Sequence, residues 1–421
     1  MEPNWKIGVN YQGDLLAASG YSRAARSHMR ALINAGVDIH GILSPHDKTQ
    51  LRDELCVKHP YWKDHMPAVL GMAPLQIIKI YHETPEFFTP DPTQYNIGYT
   101  VWETTRIPDY AVDGPERNNW VKQMNLMDEM WTSAEFCKKA FRDTGVTVPI
   151  HVFPHPIDLE EYCPSKEQPQ FVVGNTPLEG KMVFLSVFQF TKRKNPSDLI
   201  LAWTAEFGHQ EDVALVIKTY GADFGGNNQV ISEYLAQARK ASRIMNLTKN
   251  LHLILELIPD ADMPELYRMC DVFVLPSYGE GFGMPYQEAM ACGKPAIYTD
   301  ATSMPEFCVG YPIECDPEPV SGMLNIPWYN SSQDWFKTRV ASLRRQLRNA
   351  YNDWKSGQTP ALGKMARQRV EELHSFAVVG QAMRERLETI LKGVWSGSCR
   401  SELAAMWGSS KPAEVPDPPV S

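Results

Sequence analysis

The sequence lacks any apolar run near the ~20 residues that a membrane-spanning helix requires. Its first residues, MEPNWKIGVNYQGDLL, lack the basic start and apolar stretch of a secretory signal. None of its eight cysteines forms a C-x-x-C pair, so free cytosolic thiols are expected. A surplus of positive charge is missing too. The 41 Lys and Arg stand against 50 Asp and Glu, a net charge of −9, which argues against a surface built throughout for nucleic acid or anionic lipid. There is no repeat of solenoid period and no His/Cys cluster with metal-ligand spacing. Asp260 and Asp262 in PDADMP read as a turn and a helix cap rather than as a metal-binding acidic pair. These absences predict a cytoplasmic protein, at most peripheral to a membrane, that works without a metal or other cofactor.

What is present is length and alternation. At 421 residues the chain exceeds what one core usually organises. Short apolar strands are expected at 5–10, 37–43, 76–81, 96–101, 129–132 and 150–154, with helical patterns between them. In SAEFCKKAFRDTG, Ser133 is expected to cap a helix and Gly145 to end it in the left-handed conformation. From about 159 to 180, Pro164, Pro169, Gly174, Pro177 and Gly180 read as a linker. Alternation restarts with strands at 182–188, 213–219, 251–257, 271–276 and 295–299. Asn195-Pro196 is expected to open one helix, and Asp262 with Glu265 to form the capping box of another.

Two such runs predict two doubly wound α/β domains, 1–165 and 175–374, facing a cleft, with ligands beyond the carboxyl ends of the strands. Amphipathic helices are expected at 333–355 and 375–392. The last of them, taken as 375–395, is expected to return towards the N-terminal domain, and 396–421 to be a disordered tail. Arg339, Arg344, Arg345 and Arg348 gather on the first of these helices, as a solvated face or as a site for an anionic partner.

EGFGMPYQEAMACG at 280–293, directly after the apolar VFVLP, carries the most chemistry. Gly281 and Gly283 let the backbone approach a ligand, and Pro285 suits a helix start. The N–H groups of 283–286 would then face the cleft, where the helix dipole favours a diphosphate. Glu288, one turn in, can accept two hydrogen bonds from a ribose diol, and Glu280 can meet sugar hydroxyls. The plain alternative is an ordinary Gly-Pro connection with Glu288 on a solvated helix face.

Glu280 and Glu288 around GFGMP resemble the E-x7-E motif of retaining glycosyltransferases of the GT-B fold, family GT4. The resemblance implies that Glu288 binds the donor ribose and Glu280 the donor sugar, near the amides of Gly281, Phe282, Gly283 and Met284. FLSVFQFTKRKNP at 184–196 resembles the family's strand–loop–helix segment, which implies that Lys194, with Arg193, faces the leaving diphosphate. Gln189 stands where the family often has an arginine, so Lys194 is left as the main cation. VNYQGDLLAASGYSRAARSHMRALINAG at 9–36 resembles the first βα unit, with Gly20 and Gly13 as backbone approaches to the donor phosphate. The segment before VFVLP implies Ile258 and Pro259 beside the nucleobase. On the acceptor side, Trp102, Glu103, His82 and Glu83 end strands of the N-terminal domain, where a packing role competes with substrate contact. His155 is expected in the interdomain connection.

The implied reaction is metal-independent, retaining transfer from a UDP- or GDP-sugar to an acceptor hydroxyl. The acceptor stays open among glycan, lipid, protein, small molecule and modified nucleic acid, as does the oligomeric state. The competing readings are an epimerase or a phosphorylase on the same scaffold, or a non-catalytic nucleotide-sugar-binding protein.

Overall fold

The structure, a computed structural model, describes residues 7–17, 19–45, 60–71, 77–110, 118–165, 178–208, 212–220, 231, 250–256, 258–323 and 326–395. The expected tail at 396–421 and much of the expected linker lie outside them.

The first sheet holds β1 (Gly8–Gly13), β2 (Asp38–Leu43), β3 (Ile78–His82), β4 (Tyr95–Tyr99), β5 (Glu129–Thr132) and β6 (Ile150–Val152), in the order β2-β1-β3-β4-β5-β6. All its pairings are parallel. The second holds β7 (Met182–Gln189), β8 (Val213–Tyr220), β9 (Leu251–Ile254), β10 (Val272–Leu275), β11 (Ala296–Thr299) and β12 (Gly310–Ile313), in the order β12-β11-β10-β7-β8-β9, again all parallel. Strands such as MVFLSVFQ and VALVIKTY read as near-continuous apolar runs because helices cover both faces of a parallel sheet.

The helices are α1 (Gly20–Asn34), α2 (Pro60–Gly71), α3 (Trp120–Met124), α4 (Glu135–Thr144), α5 (Pro196–Phe207), α6 (Met263–Arg268), α7 (Met284–Ala291), α8 (Met304–Phe307), α9 (Val340–Lys355), α10 (Thr359–His374) and α11 (Phe376–Trp395). Asn195 opens α5 as expected: it is left-handed at φ 56°, its side chain accepts from the N–H of Asp198, and Pro196 follows. Gly145 ends α4 at φ 115°.

Three local expectations are corrected. Ser133 does not cap α4. Ala134 holds that position, and the N–H groups of Glu135 and Phe136 instead donate to Glu306 at 2.9 and 2.8 Å, from the other domain. Asp262 makes no side-chain cap to α6, and Glu265 pairs with Arg268, so there is no capping box. The segment 333–355 is not one helix. Asp334–Thr338 forms β14, antiparallel to β13 (Cys315–Pro319), because the alternation in DWFKT puts Trp335 inside. The basic face of α9 is spent on neighbours. Arg344 and Arg348 reach Glu206, Arg345 reaches Glu314 at 2.6 Å and Arg339 reaches Asp316, which favours the solvated-face reading.

The chain crosses between the domains twice, and the crossings touch where the N–H of Ile157 donates to the carbonyl of His374 at 2.9 Å. After the second crossing α11 lies along α1, and Val379, Met383, Leu387, Ile390 and Val394 join the N-terminal core. On another flank, the loop between β13 and β14 reaches across the cleft. Tyr329 stacks on Trp102 at 5.1 Å, and the N–H of Asp334 donates to Thr105 Oγ1 at 2.9 Å.

Candidate active site

In each sheet the winding reverses beside the first strand, between β1 and β3 and between β7 and β10. Ligands in doubly wound sheets collect beyond the carboxyl ends of strands at this reversal. The loops leaving β7 and β10 there carry Arg193-Lys194 and Glu280–Gly283.

The glycine loop is held by its carbonyls. That of Glu280 accepts from Ser303 Oγ at 2.9 Å, and that of Phe282 from the same hydroxyl at 2.8 Å. That of Gly281 accepts from Ser133 Oγ at 2.7 Å and Cys137 Sγ at 3.1 Å, both from the N-terminal domain. That of Gly283 accepts from the N–H of Tyr286 at 3.0 Å. In a trans peptide the N–H points opposite to the carbonyl. The N–H groups of Gly281, Phe282, Gly283 and Met284 have no acceptor among the described residues. Four successive peptides thus leave N–H groups without a protein acceptor at the start of α7, where a helix N-terminus favours an anion. The expectation of donors over 283–286 shifts towards the loop, since Tyr286 is already bonded. Gly283 sits at φ 95°, where a side chain is strained. The Phe282 ring is no ligand: it packs on Phe307, His155 and His374.

Beside the glycine loop, Lys194 Nζ lies 2.6 and 2.8 Å from the two carboxylate oxygens of Glu280. Arg193 reaches the same carboxylate at 3.1 Å and Glu103 of the N-terminal domain at 3.0 Å. Burial alone would raise the Glu280 carboxyl, but the two cations override it and hold it below the usual range. Burial also pulls the Lys194 ammonium down, with Glu280 opposing. The structure thus brings Glu280, Lys194, Arg193 and Glu103 together. Glu103, expected on the acceptor side, is bound to this cluster and accepts from the Tyr329 hydroxyl.

Glu288 is 2% exposed on α7. One oxygen accepts from the Tyr267 hydroxyl at 2.5 Å and the other from Arg23 on α1. Burial raises its carboxyl above the usual range, with Arg23 partly offsetting. Gln189 ends β7, and Ile258 and Pro259 precede Asp260, which faces Arg26 at 3.6 Å.

In the N-terminal domain, Gly13 is explained by strand packing: a side-chain carbon there would meet the His82 carbonyl at 2.8 Å. Nothing crowds the α-carbon of Gly20, which follows the true cap, Ser19. Trp102 is 5% exposed between Trp120 and Tyr329, and its indole N–H bonds to Thr104 and Arg106, so it packs rather than lines the cleft. His82 is buried among Tyr11, His28, Tyr99 and His155, its pKa driven well down by burial and by the neighbouring histidines. Glu83 accepts from Gln12 at 2.8 Å, and burial raises its carboxyl, with hydrogen bonds from Ser44 and Gln12 partly offsetting. His155 bridges the domains, its carbonyl accepting from Gln287 at 2.6 Å.

Sequence reasoning missed Arg23, Tyr162 and Tyr267 around Glu288, and Thr302 and Ser303 under the loop. Thr302 is held at φ 56° while its hydroxyl accepts from the N–H of Glu280 at 3.2 Å, a conformation that no local pattern announces. The six cysteines within the described residues are all free. No helix among those residues is long and apolar enough to cross a membrane.

Residues 169–310 match the family described as "Glycosyl transferases group 1". The O-antigen chain mannosyltransferase B of Escherichia coli is 33% identical over 105 residues, 25% of this chain and 27% of that protein. The D-inositol 3-phosphate glycosyltransferase of Corynebacterium jeikeium is 27% identical over 167 residues, 38% of each. The matched stretches therefore span well under half the length of these relatives. Among solved structures, sucrose-phosphate synthase from Thermosynechococcus elongatus superposes with a TM-score of 0.64 at 15% identity, covering 92% of this chain and all of the other. HepE of Anabaena in complex with UDP and glucose gives 0.62 at 14%, covering 91% and 100%. The fold is that of the GT-B proteins. The match to the glycosyl transferases group 1 family lies in its C-terminal domain, from within the expected linker to the start of β12.

Proposed function

We propose that this protein transfers a sugar from a nucleotide-sugar donor of the UDP or GDP type to an acceptor hydroxyl, with retention and without a metal ion. The observation that carries the reading is the row of four unused N–H groups over 281–284 beside Lys194 and Glu280. Such a row can hold a diphosphate as it departs, and preorganised donors aimed at developing charge are usually the largest catalytic term. Lys194 and Arg193, paired with Glu280 and Glu103 before a donor arrives, supply cations beside it, and Glu288 supplies a buried carboxylate for the ribose. Matches to sugar transferases and the UDP-bound state of one structural relative support the donor class.

In the reaction the bond from the anomeric carbon to the diphosphate oxygen breaks and a bond to the acceptor oxygen forms on the same face. The acceptor proton passes to the departing phosphate oxygen. This protein's residues act by holding that oxygen and its charge in place.

The test is a thermal-shift screen of UDP- and GDP-sugars, followed by turnover with and without EDTA and by NMR of the product anomer. A donor that raises the unfolding temperature, turnover indifferent to EDTA and an α-linked product from an α-linked donor are expected. No stabilisation by any nucleotide sugar, an inverted product or loss of turnover in EDTA would each overturn the corresponding part.

A further inference from the structure

One of the two groups bound to the proposed ribose carboxylate is a side chain of the opposite domain. Arg23, on the first turn of α1, places its guanidinium on Glu288 and donates to the Tyr162 hydroxyl at 3.0 Å. Its Nε lies 4.0 Å from Asp260, the residue after the proposed base-contacting pair Ile258-Pro259. Both Glu288 oxygens are thereby engaged, one by Arg23 and one by Tyr267. The cavity lined by Arg23, Tyr162, Asp260, Met284 and Glu288 measures about 70 Å³.

We propose that Arg23 is a self-occluding latch. In the donor-free protein it occupies the ribose carboxylate and ties α1 to α7, and a nucleotide enters only as the Arg23–Glu288 pair opens. The inference rests on the reading of Glu288 as the ribose ligand. An arginine serving only to fasten the domains would need no place among the groups that read as the nucleoside site. Here the guanidinium is held by Glu288 on α7, Tyr162 after the first crossing and Asp260 before α6. Donor binding and interdomain contact then compete for one carboxylate, and the two are linked in free energy by that competition.

The test is calorimetric titration of the full chain with UDP and with GDP. Arg23→Gln is expected to bind whichever nucleotide the wild type binds at least tenfold more tightly. Unchanged or weakened affinity overturns the latch. If that variant does not fold, Tyr162→Phe removes only the 3.0 Å bond that steadies the guanidinium. It is expected to tighten binding in the same direction, and no change overturns the latch. Glu288→Gln separates the two levels. If nucleotide affinity survives that substitution intact, the ribose assignment itself falls. If Glu288→Gln abolishes binding while Arg23→Gln leaves affinity unchanged, the ribose assignment stands and the latch falls.

Discussion

The α-carbon of Gly279 presses against the carbonyl oxygen of Glu103, so close that a side-chain carbon at 279 would overlap it. Two residues later the same relationship recurs: a side-chain carbon at Gly281 would lie 2.9 Å from Val101 Cβ. The loop that carries Glu280 is therefore seated directly on the N-terminal domain, and Glu103 is bound to Arg193 at the same place. The backbones meet only because these positions have no side chains.

Gly279→Ala is accordingly expected to prise the two domains apart at this seat. Overpacking of this kind costs about 1–3 kcal/mol. A lowered denaturation midpoint and lowered turnover are the expected outcome. Wild-type stability in the alanine variant would remove the claim that the seat is tight.

Lys194→Ala removes the ammonium from both Glu280 oxygens and from the glycine loop beside it. Loss of one preorganised charge or donor costs about 10²–10³ in turnover where it faces a leaving group. A fall of at least tenfold in steady-state donor turnover is expected, and a fall of the same order in Glu288→Ala. Wild-type rates in both variants would refute their assignment.

Four buried histidines give the fold a pH dependence. Burial lowers His28 to about 4 and His374 to about 3, and drives His82 and His155 well below their ordinary value. Above pH ~6.5 these groups are neutral in both folded and unfolded chains, and their environment costs nothing. Below it the unfolded chain binds protons that the folded one refuses, so stability falls as pH falls, by about 1.4 kcal/mol per unit for each histidine. The decline continues to the folded pKa, about 4 for His28 and about 3 for His374. Urea midpoints at pH 7, 6 and 5 should drop progressively. His374→Gln should make that drop shallower, and an unaltered slope would count against it.

Glu129 is fully buried on β5, where it accepts from Tyr95 at 3.0 Å and Trp131 at 2.6 Å and pairs with Arg386 of α11. Arg386→Met leaves the carboxylate with neutral donors alone. Breaking a buried pair from one side costs about 3–5 kcal/mol, and the remaining donors place this one near the lower end. The drop should appear in a urea unfolding curve. A change under about 1 kcal/mol would mean that α11 does not depend on this contact.

Much of the fold is legible in the order of residues. Apolar runs separated by turn residues mark eleven of the strands, because burial on both faces leaves a continuous signature. Asn195-Pro196 and Gly145 announce helix ends because capping is decided by the residues themselves. EGFGMPYQEAMACG announces a backbone approach because glycine and proline act within a few residues of where they stand. DWFKT reads as the start of a helix because five residues carry too little period to stand apart from the helical stretch after them.

The sequence by itself determined the two parallel sheets, the glycine loop and the identity of the carboxylates and cations beside it, all properties of local pattern and spacing. Only the tertiary structure decided their partners: Arg23 on Glu288 from 265 residues away, Glu306 capping α4 in place of Ser133, and Glu103 on Arg193. Those contacts join segments far apart in the chain. They form where one domain's surface meets the other's, and no short window of residues contains both sides.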